Sequence, residues 1–250
     1  MRPSLEGVGN IVRFNWPYYF AAAVSVILLV LVAVFSDRAL RYGAVAAVCL
    51  TFAATAASLL VSWYVYDHSG FYSFAWLGDP RRDIRQNILN INAGFDETTS
   101  ILKELFPNAK ITACDFYEGE RHTAASIRRA RTRYPPAPGV KKISSDTMPF
   151  NDASIDRIFA IMAVHEIRDP RERVSFFIEA KRCLAPDGQI VMVEHVRNGP
   201  NFLAYNIGAF HFHSRRAWQA AINGAGLEVD RETKLTPFLT AFFIKHGDPS

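Results

Sequence analysis

Two long apolar runs near the start of the chain constrain its fold more than any other feature. From Pro17 to Phe35 the sequence reads PYYFAAAVSVILLVLVAVF, and from Tyr42 to Tyr66 it reads YGAVAAVCLTFAATAASLLVSWYVY. Between Phe14 and Tyr66 the charged residues are Asp37, Arg38 and Arg41. A helix needs about 20 apolar residues to cross the hydrocarbon core of a bilayer, and both runs satisfy this. Trp16, Tyr18 and Tyr19 flank the first, and Trp63, Tyr64 and Tyr66 close the second, as interfacial aromatic belts do. The connection Ser36–Arg41 is short, so the runs predict an antiparallel helical hairpin, with Gly43, Ala46, Ala47, Ala53, Ala54, Ala57 and Ser58 allowing close approach. A cleaved signal peptide is disfavoured by the second run and by the lack of a cleavage site. A buried soluble hairpin is the weaker alternative.

Charge divides the chain at the same place. Of 250 residues, 28 are Lys or Arg and 24 are Asp or Glu, a net +4 that falls wholly on residues 81–250. Half of the residues are hydrophobic, which excludes a disordered chain. Cys49, Cys114 and Cys183 lie far apart, so neither a disulfide framework nor a cysteine zinc site is expected. The expected organisation is an anchor over 1–66, an interfacial linker over 67–84 running along the membrane surface, and an α/β domain over 85–250. Arg2 and Arg13 on one flank and Arg81, Arg82 and Arg85 on the other favour both ends inside, whereas Arg38 and Arg41 in the loop oppose this. A cytoplasmic domain is the orientation adopted.

From residue 86 short apolar strands alternate with amphipathic helices, the pattern of a mainly parallel sheet. Strands are predicted at Asn87–Asn92, Lys110–Cys114, Val140–Ile143, Ile155–Ile161, Gln189–Glu194, Leu227–Lys234 and Phe238–Lys245. Helices are predicted at Glu97–Phe106, Gly119–Arg133, Arg171–Leu184 and Ser214–Ala225, each closed by a nearby Pro or Gly. In such a sheet ligands bind beyond the carboxyl ends of the strands. The loops there carry ILNINAGFD after the first strand, Asp115-Phe116-Tyr117-Glu118 after the second, SSDTMPF after the third and AVHEI after the fourth.

Taken in order, these stretches resemble the class I S-adenosylmethionine-dependent methyltransferases over about residues 85–245. ILNINAGFD is similar to the family's glycine-rich first loop. Asp115 falls where the family's acidic residue holds the ribose hydroxyls, and Asp146, within SSDTMPFNDASIDRIFAI, falls where the adenine amine is contacted. CLAPDGQIVMVE is similar to the segment that leads into the fifth strand. The resemblance implies a Rossmann-like, seven-stranded, mostly parallel sheet with helices on both faces. It also implies S-adenosyl-L-methionine as cofactor, held by Asn90, Asn92, Gly94, Asp115, Phe116, Asp146 and Thr147. The first loop departs from the family: Asn90 replaces the usual acidic residue, and Asn92 and Asp96 stand where glycines are common. Asn tolerates a left-handed backbone, so the turn survives.

His165-Glu166 and Glu194-His195 follow the fourth and fifth strands, and His211 and His213 precede the last helix. Three readings stand. The histidines line the pocket and are satisfied by neighbouring carboxylates; or His165 or His195 takes a proton from the methyl acceptor while Glu166 or Glu194 orients it; or the His and Glu residues hold a divalent metal. No recognised ligand spacing is present, so no metal is assigned and the catalytic set is His165, Glu166, Glu194 and His195. The segment after the fifth strand is rich in aromatics, and Phe210, His211, Phe212 and His213 are the expected acceptor contacts. Arg128, Arg129, Arg131 and Arg133 read either as a solvated helix face or as an attraction to anionic lipid. The expected function is a membrane-anchored methyltransferase acting on a lipophilic small molecule, such as a quinone, lipid, fatty acid or thiol, in contact with membrane lipids and without nucleic acid. A membrane-tethered binding module that has lost transfer activity is the alternative. The oligomeric state is open.

Overall fold

The computed structural model describes residues 4–78 and 85–247. Arg2, Arg81 and Arg82, on which the orientation argument drew, lie outside them, as do residues 79–84 of the expected linker.

An amphipathic helix not expected from the sequence comes first: α1 (Glu6–Phe14). The two apolar runs then form α2 (Trp16–Phe35) and α3 (Arg38–Trp63), packed on each other as a hairpin. The turn is tighter than expected because Asp37 caps α3, accepting from the amides of Ala39 and Leu40 at 3.0 Å each, so the helix starts at Arg38. No residue of α2 is buried, and in α3 only Ala44 and Ser62 are. Both helices are long and apolar enough to cross a membrane.

The α/β part contains β1 (Asn87–Asn92), α4 (Thr99–Leu105), β2 (Lys110–Asp115), α5 (Ala125–Arg133), β3 (Lys141–Lys142), β4 (Ile155–Ile161), α6 (Pro170–Cys183), β5 (Leu184–His195), α7 (Gly199–Tyr205), α8 (Arg215–Gly224), β6 (Leu227–Lys234) and β7 (Leu239–His246). Seven strands form one sheet in the order β3-β2-β1-β4-β5-β7-β6. The pairings from β3 to β5 are parallel, and β7 runs antiparallel to both β5 and β6. The chain reverses its direction across the sheet between β1 and β4, which puts the crevice at the carboxyl ends of these central strands.

Alternation along β4 builds two cores, because successive side chains leave a strand on opposite faces. Ile158 and Ala160 join Phe116, Phe176, Phe177 and Trp218 beneath α6 and α8. Phe159 and Ile161 join Phe106 and Phe243 on the other face, with Val65, Phe71, Phe74 and Leu77. Val65 comes from a π-turn (Tyr64–His68), Phe71 and Leu77 from two 3-10 turns (Phe71–Ser73, Ala75–Leu77), and Phe74 joins those two turns. The aromatic segment after α3 is thus not laid along an open surface: Phe71, Phe74 and Leu77 are buried against the sheet. Together with Leu102 of α4 it covers this face of the sheet.

Candidate functional site

The turn after β1 is built by Asn92 and Gly94. Asn92 Oδ1 accepts from the Gly94 amide at 2.8 Å, and Gly94 adopts φ +97°, a backbone region that side chains rarely enter. Asn90, which stands where the family carries an acid, turns instead into the start of α4 and donates to Thr98 at 2.9 Å and Thr99 at 2.7 Å. Asp96 accepts from the amides of Thr98 and Thr99, closing this loop into a capped turn.

At the end of β2 the Asp115 carboxylate is buried. One oxygen accepts from the Tyr117 amide at 2.8 Å and the other pairs with Arg131 at 2.6 Å. The Arg131 guanidinium lies 4.6 Å from the centre of the Tyr117 ring and directly over Gly94, where an added Cβ would collide with its Nη1. The arginine run on α5 is therefore not uniformly turned to solvent or lipid. Arg131 faces the sheet, and Arg129 donates to the Phe14 carbonyl, which fastens α1 to α5. Phe14 is packed edge-on against Phe95 at 5.3 Å, so α1 roofs the first loop.

The cavity left between Asn92, Ala93, Phe95, Thr98, Ile127 and Met162 is about 60 Å³. Small-molecule sites are about 300–1,000 Å³. The polar frame nonetheless suits a nucleoside with an amino-acid tail. Asp115 stands at the strand end, Gly94 leaves room for close approach, and the buried Asn92 Nδ2 has no hydrogen-bond partner among the described residues. What fills the space is the far end of one flexible side chain, Arg131, and not backbone. Phe116, expected at the cofactor, is wholly buried and packs on Phe176 at 5.9 Å. Asp146 and Thr147 are exposed on a turn, with Asp146 bonded to Ser144 at 2.7 Å and to Arg121 at 3.2 Å.

Beyond β4 and β5 the polar residues separate into two groups. In the first, His165 Nδ1 bonds Glu194 Oε2 at 2.7 Å, while His165 Nε2 and His211 Nε2 approach the same oxygen of Glu166, at 3.5 and 3.6 Å. The structure thus brings together His165, Glu166, Glu194 and His211, from three places in the sequence. Burial opposes charge on His165, but Glu194 and Glu166 outweigh it and raise the imidazole to about 10. Burial likewise favours a neutral Glu166, yet His165 and His211 hold its carboxyl far below the usual range. Arg168 staples the cluster, with Nη1 donating to the carbonyls of His165 and His211.

His195 belongs to a different group. Its Nδ1 proton goes to the Phe238 carbonyl at 2.9 Å, leaving Nε2 to accept from the Tyr66 hydroxyl at 2.8 Å. Its ring is stacked on Phe212, centroids 4.6 Å apart. Burial, with some repulsion from the charges of His165 and His211, lowers it to about 3. This neutral imidazole joins the end of α3 to β5. His213 is buried as well: its Nε2 accepts from Arg173 at 3.0 Å, and burial with that neighbouring charge lowers it to about 3. Phe210 is exposed and packs edge-on against Phe202 at 5.2 Å.

The sequence marks Arg131 only as part of a basic run and Tyr66 only as an interfacial aromatic, and it does not mark Arg168; none of the three is expected at the site. Nothing local places them there, because each acts across more than ten residues of sequence or more than one element.

A family model for the methyltransferase domain matches residues 89–192. Residues 89–192 are a methyltransferase domain. The match runs from β1 to β5, the strands that carry the crevice. The domain is similar to malonyl-[acyl-carrier protein] O-methyltransferase of Hahella chejuensis (strain KCTC 2396), 29% identical over 112 residues that make up 44% of this chain and 37% of that protein. The chain thus spans little more than a third of the curated relative it matches. Among solved structures it is similar to the mitomycin 7-O-methyltransferase MmcR (TM-score 0.56, 12% identity, 99% of this chain and 74% of that one). It is also similar to the pyocyanin biosynthetic protein PhzM (TM-score 0.53, 14% identity, 76% and 58%). These two likenesses establish the Rossmann-like methyltransferase fold.

Proposed function

We propose that the chain is an S-adenosylmethionine-dependent methyltransferase tethered to a membrane by α2 and α3, with its domain on the cytoplasmic side, and that it methylates a lipophilic small molecule. The cofactor supplies an electrophilic methyl group on a sulfonium. Asp115 would hold the ribose hydroxyls, while Asn92 and the Gly94 turn would receive the amino-acid end, once Arg131 has rotated away. His165, Glu166, Glu194 and His211 lie at the ends of β4 and β5, where the acceptor would be positioned; close alignment of the reacting atoms is the main contribution a protein makes to such a displacement. His195 has its role in the tie to α3, outside this set.

The observation that carries the lipophilic acceptor is the packing of α7 on α3. A shallow, mostly apolar groove lined by Leu50, Ala53, Ala54, Ala57 and Leu203, with Thr51 and Asn206, runs between the hairpin and the segment after β5. Leu203 and Ile207, each 80% exposed, and Phe210, 59% exposed, stand on that segment. Apolar surface of this kind, continuous with helices fit for a bilayer, supports contact with membrane lipids. The named acceptor of the bacterial relative, a malonyl group on a carrier protein, supports transfer to oxygen as one chemistry to try. The filling of the cofactor space by Arg131 supports a second reading, a tethered binding module without transfer.

Purified full-length protein in detergent, titrated with S-adenosylmethionine by calorimetry, should bind it. Incubated with methyl-labelled cofactor and membrane lipid extract, it should move label into the organic phase. Absence of binding removes the first reading in favour of the second. Binding with label only in water-soluble products removes the lipophilic acceptor.

A further inference from the structure

We propose that His165, Glu166 and His211 form a binding site for a divalent first-row transition-metal ion. The three residues offer one ligand atom each, all within 4.8 Å of one another. His165 Nε2 and His211 Nε2 lie 3.5 and 3.6 Å from Glu166 Oε1. With metal bonds of about 2.0–2.1 Å, ligand atoms in a tetrahedral arrangement are about 3.4 Å apart, so the donors need only small shifts to share one ion.

Two independent observations point to a missing partner. The Glu166 side chain is 5% exposed, and its Oε2 is buried without a hydrogen bond among the described residues. An acceptor left in this state is costly unless something cationic meets it. In addition, His165 turns its other nitrogen, Nδ1, to Glu194 at 2.7 Å. Metal-binding imidazoles are commonly oriented by a carboxylate on the second ring nitrogen, which fixes the tautomer and strengthens the ligand. Here that leaves Nε2 free for an ion.

The donor set decides the class of ion. Two imidazoles and one carboxylate suit Mn²⁺, Fe²⁺, Co²⁺, Ni²⁺ or Zn²⁺ better than Mg²⁺ or Ca²⁺, which prefer oxygen alone. Three protein ligands leave coordination positions open, as catalytic sites do. Arg168 fixes the backbone at both histidines through one guanidinium nitrogen. The site is therefore preorganised although His211 lies more than forty residues from His165 and Glu166 in sequence.

The full-length protein in detergent, stripped with a chelator and titrated with Co²⁺ alone, tests this. The expected result is about one Co²⁺ per chain by elemental analysis, with a visible absorption band displaced by Zn²⁺. Both should be lost in Glu166→Gln and in His211→Asn, and Glu194→Gln should weaken Co²⁺ binding by roughly 10–100-fold. His211 lies at the partly exposed rim, so His211→Asn decides the matter should Glu166→Gln fail to fold, and circular dichroism checks both variants. Failure to retain Co²⁺ overturns the proposal, as does retention unchanged in His211→Asn. Cofactor calorimetry and the methyl-labelling assay test the proposed function separately, so either reading can fall alone.

Discussion

Arg131 decides how readily the cofactor enters. Its bond to Asp115 must break before ribose hydroxyls can take its place, and a charge-assisted bond of this kind is worth about 1.5–3 kcal/mol. Arg131→Ala should therefore tighten S-adenosylmethionine binding by roughly tenfold or more, whereas Asp115→Asn should weaken it. Calorimetry on the two variants reads both effects, and weaker binding in Arg131→Ala would show that the guanidinium assists the cofactor instead. His195 controls a pH dependence. Its folded value of about 3 lies below the ordinary histidine value of 6.5, so between these limits the unfolded chain binds the extra proton. Its contribution to stability is present above about 6.5 and is lost as pH falls toward 3. Tyr66 and Tyr205 face the ring, and neither supplies a charge in this range that would change the sign. Denaturant midpoints measured from pH 7 to 4 should fall, and should fall less in His195→Gln.

The turns after α3 work as structural elements of the domain. Phe74 is 2% exposed and meets Phe159 edge-on at 6.3 Å. Phe74→Ala should cost about 3–5 kcal/mol in chemical denaturation, the range for truncating a buried phenylalanine. Asp67 acts at the other end of this segment: its two carboxylate oxygens accept from the Gly7 and Val8 amides of α1 at 2.8 Å each. Asp67→Ala should cost about 1–2 kcal/mol, as the loss of a helix cap does, and should loosen the roof that Phe14 forms over the first loop. Faster exchange of the α1 amides measures this. Periodicity made the strands legible, with β1 and β4 falling at the residues expected. It did not reveal α1 or α7, whose short patterns acquire meaning only against α5 and α3.

On the scale of the molecule, the turns after α3 and the domain share a core, so the domain should not stand alone. Removing residues 1–78 uncovers Phe106, Phe159, Ile161 and Phe243 on one face of the sheet. Such a fragment should aggregate or bind hydrophobic dyes, while the full chain in detergent remains monodisperse. A soluble, cooperatively folding fragment would show that the turns after α3 are dispensable. By itself the sequence determined the features that depend on neighbours along the chain. Runs of about 20 apolar residues set the two long helices, alternation set the strands, and the positions of Asp115 and Gly94 beyond the first two strands followed from that local pattern. Only the tertiary structure decided which distant side chains meet: Arg131 with Asp115, Tyr66 with His195, and His211 with Glu166. Such partnerships depend on strand order and on the packing of helices over the sheet. Local spacing contains neither, since a side chain several strands away can lie closer than the next turn of its own helix.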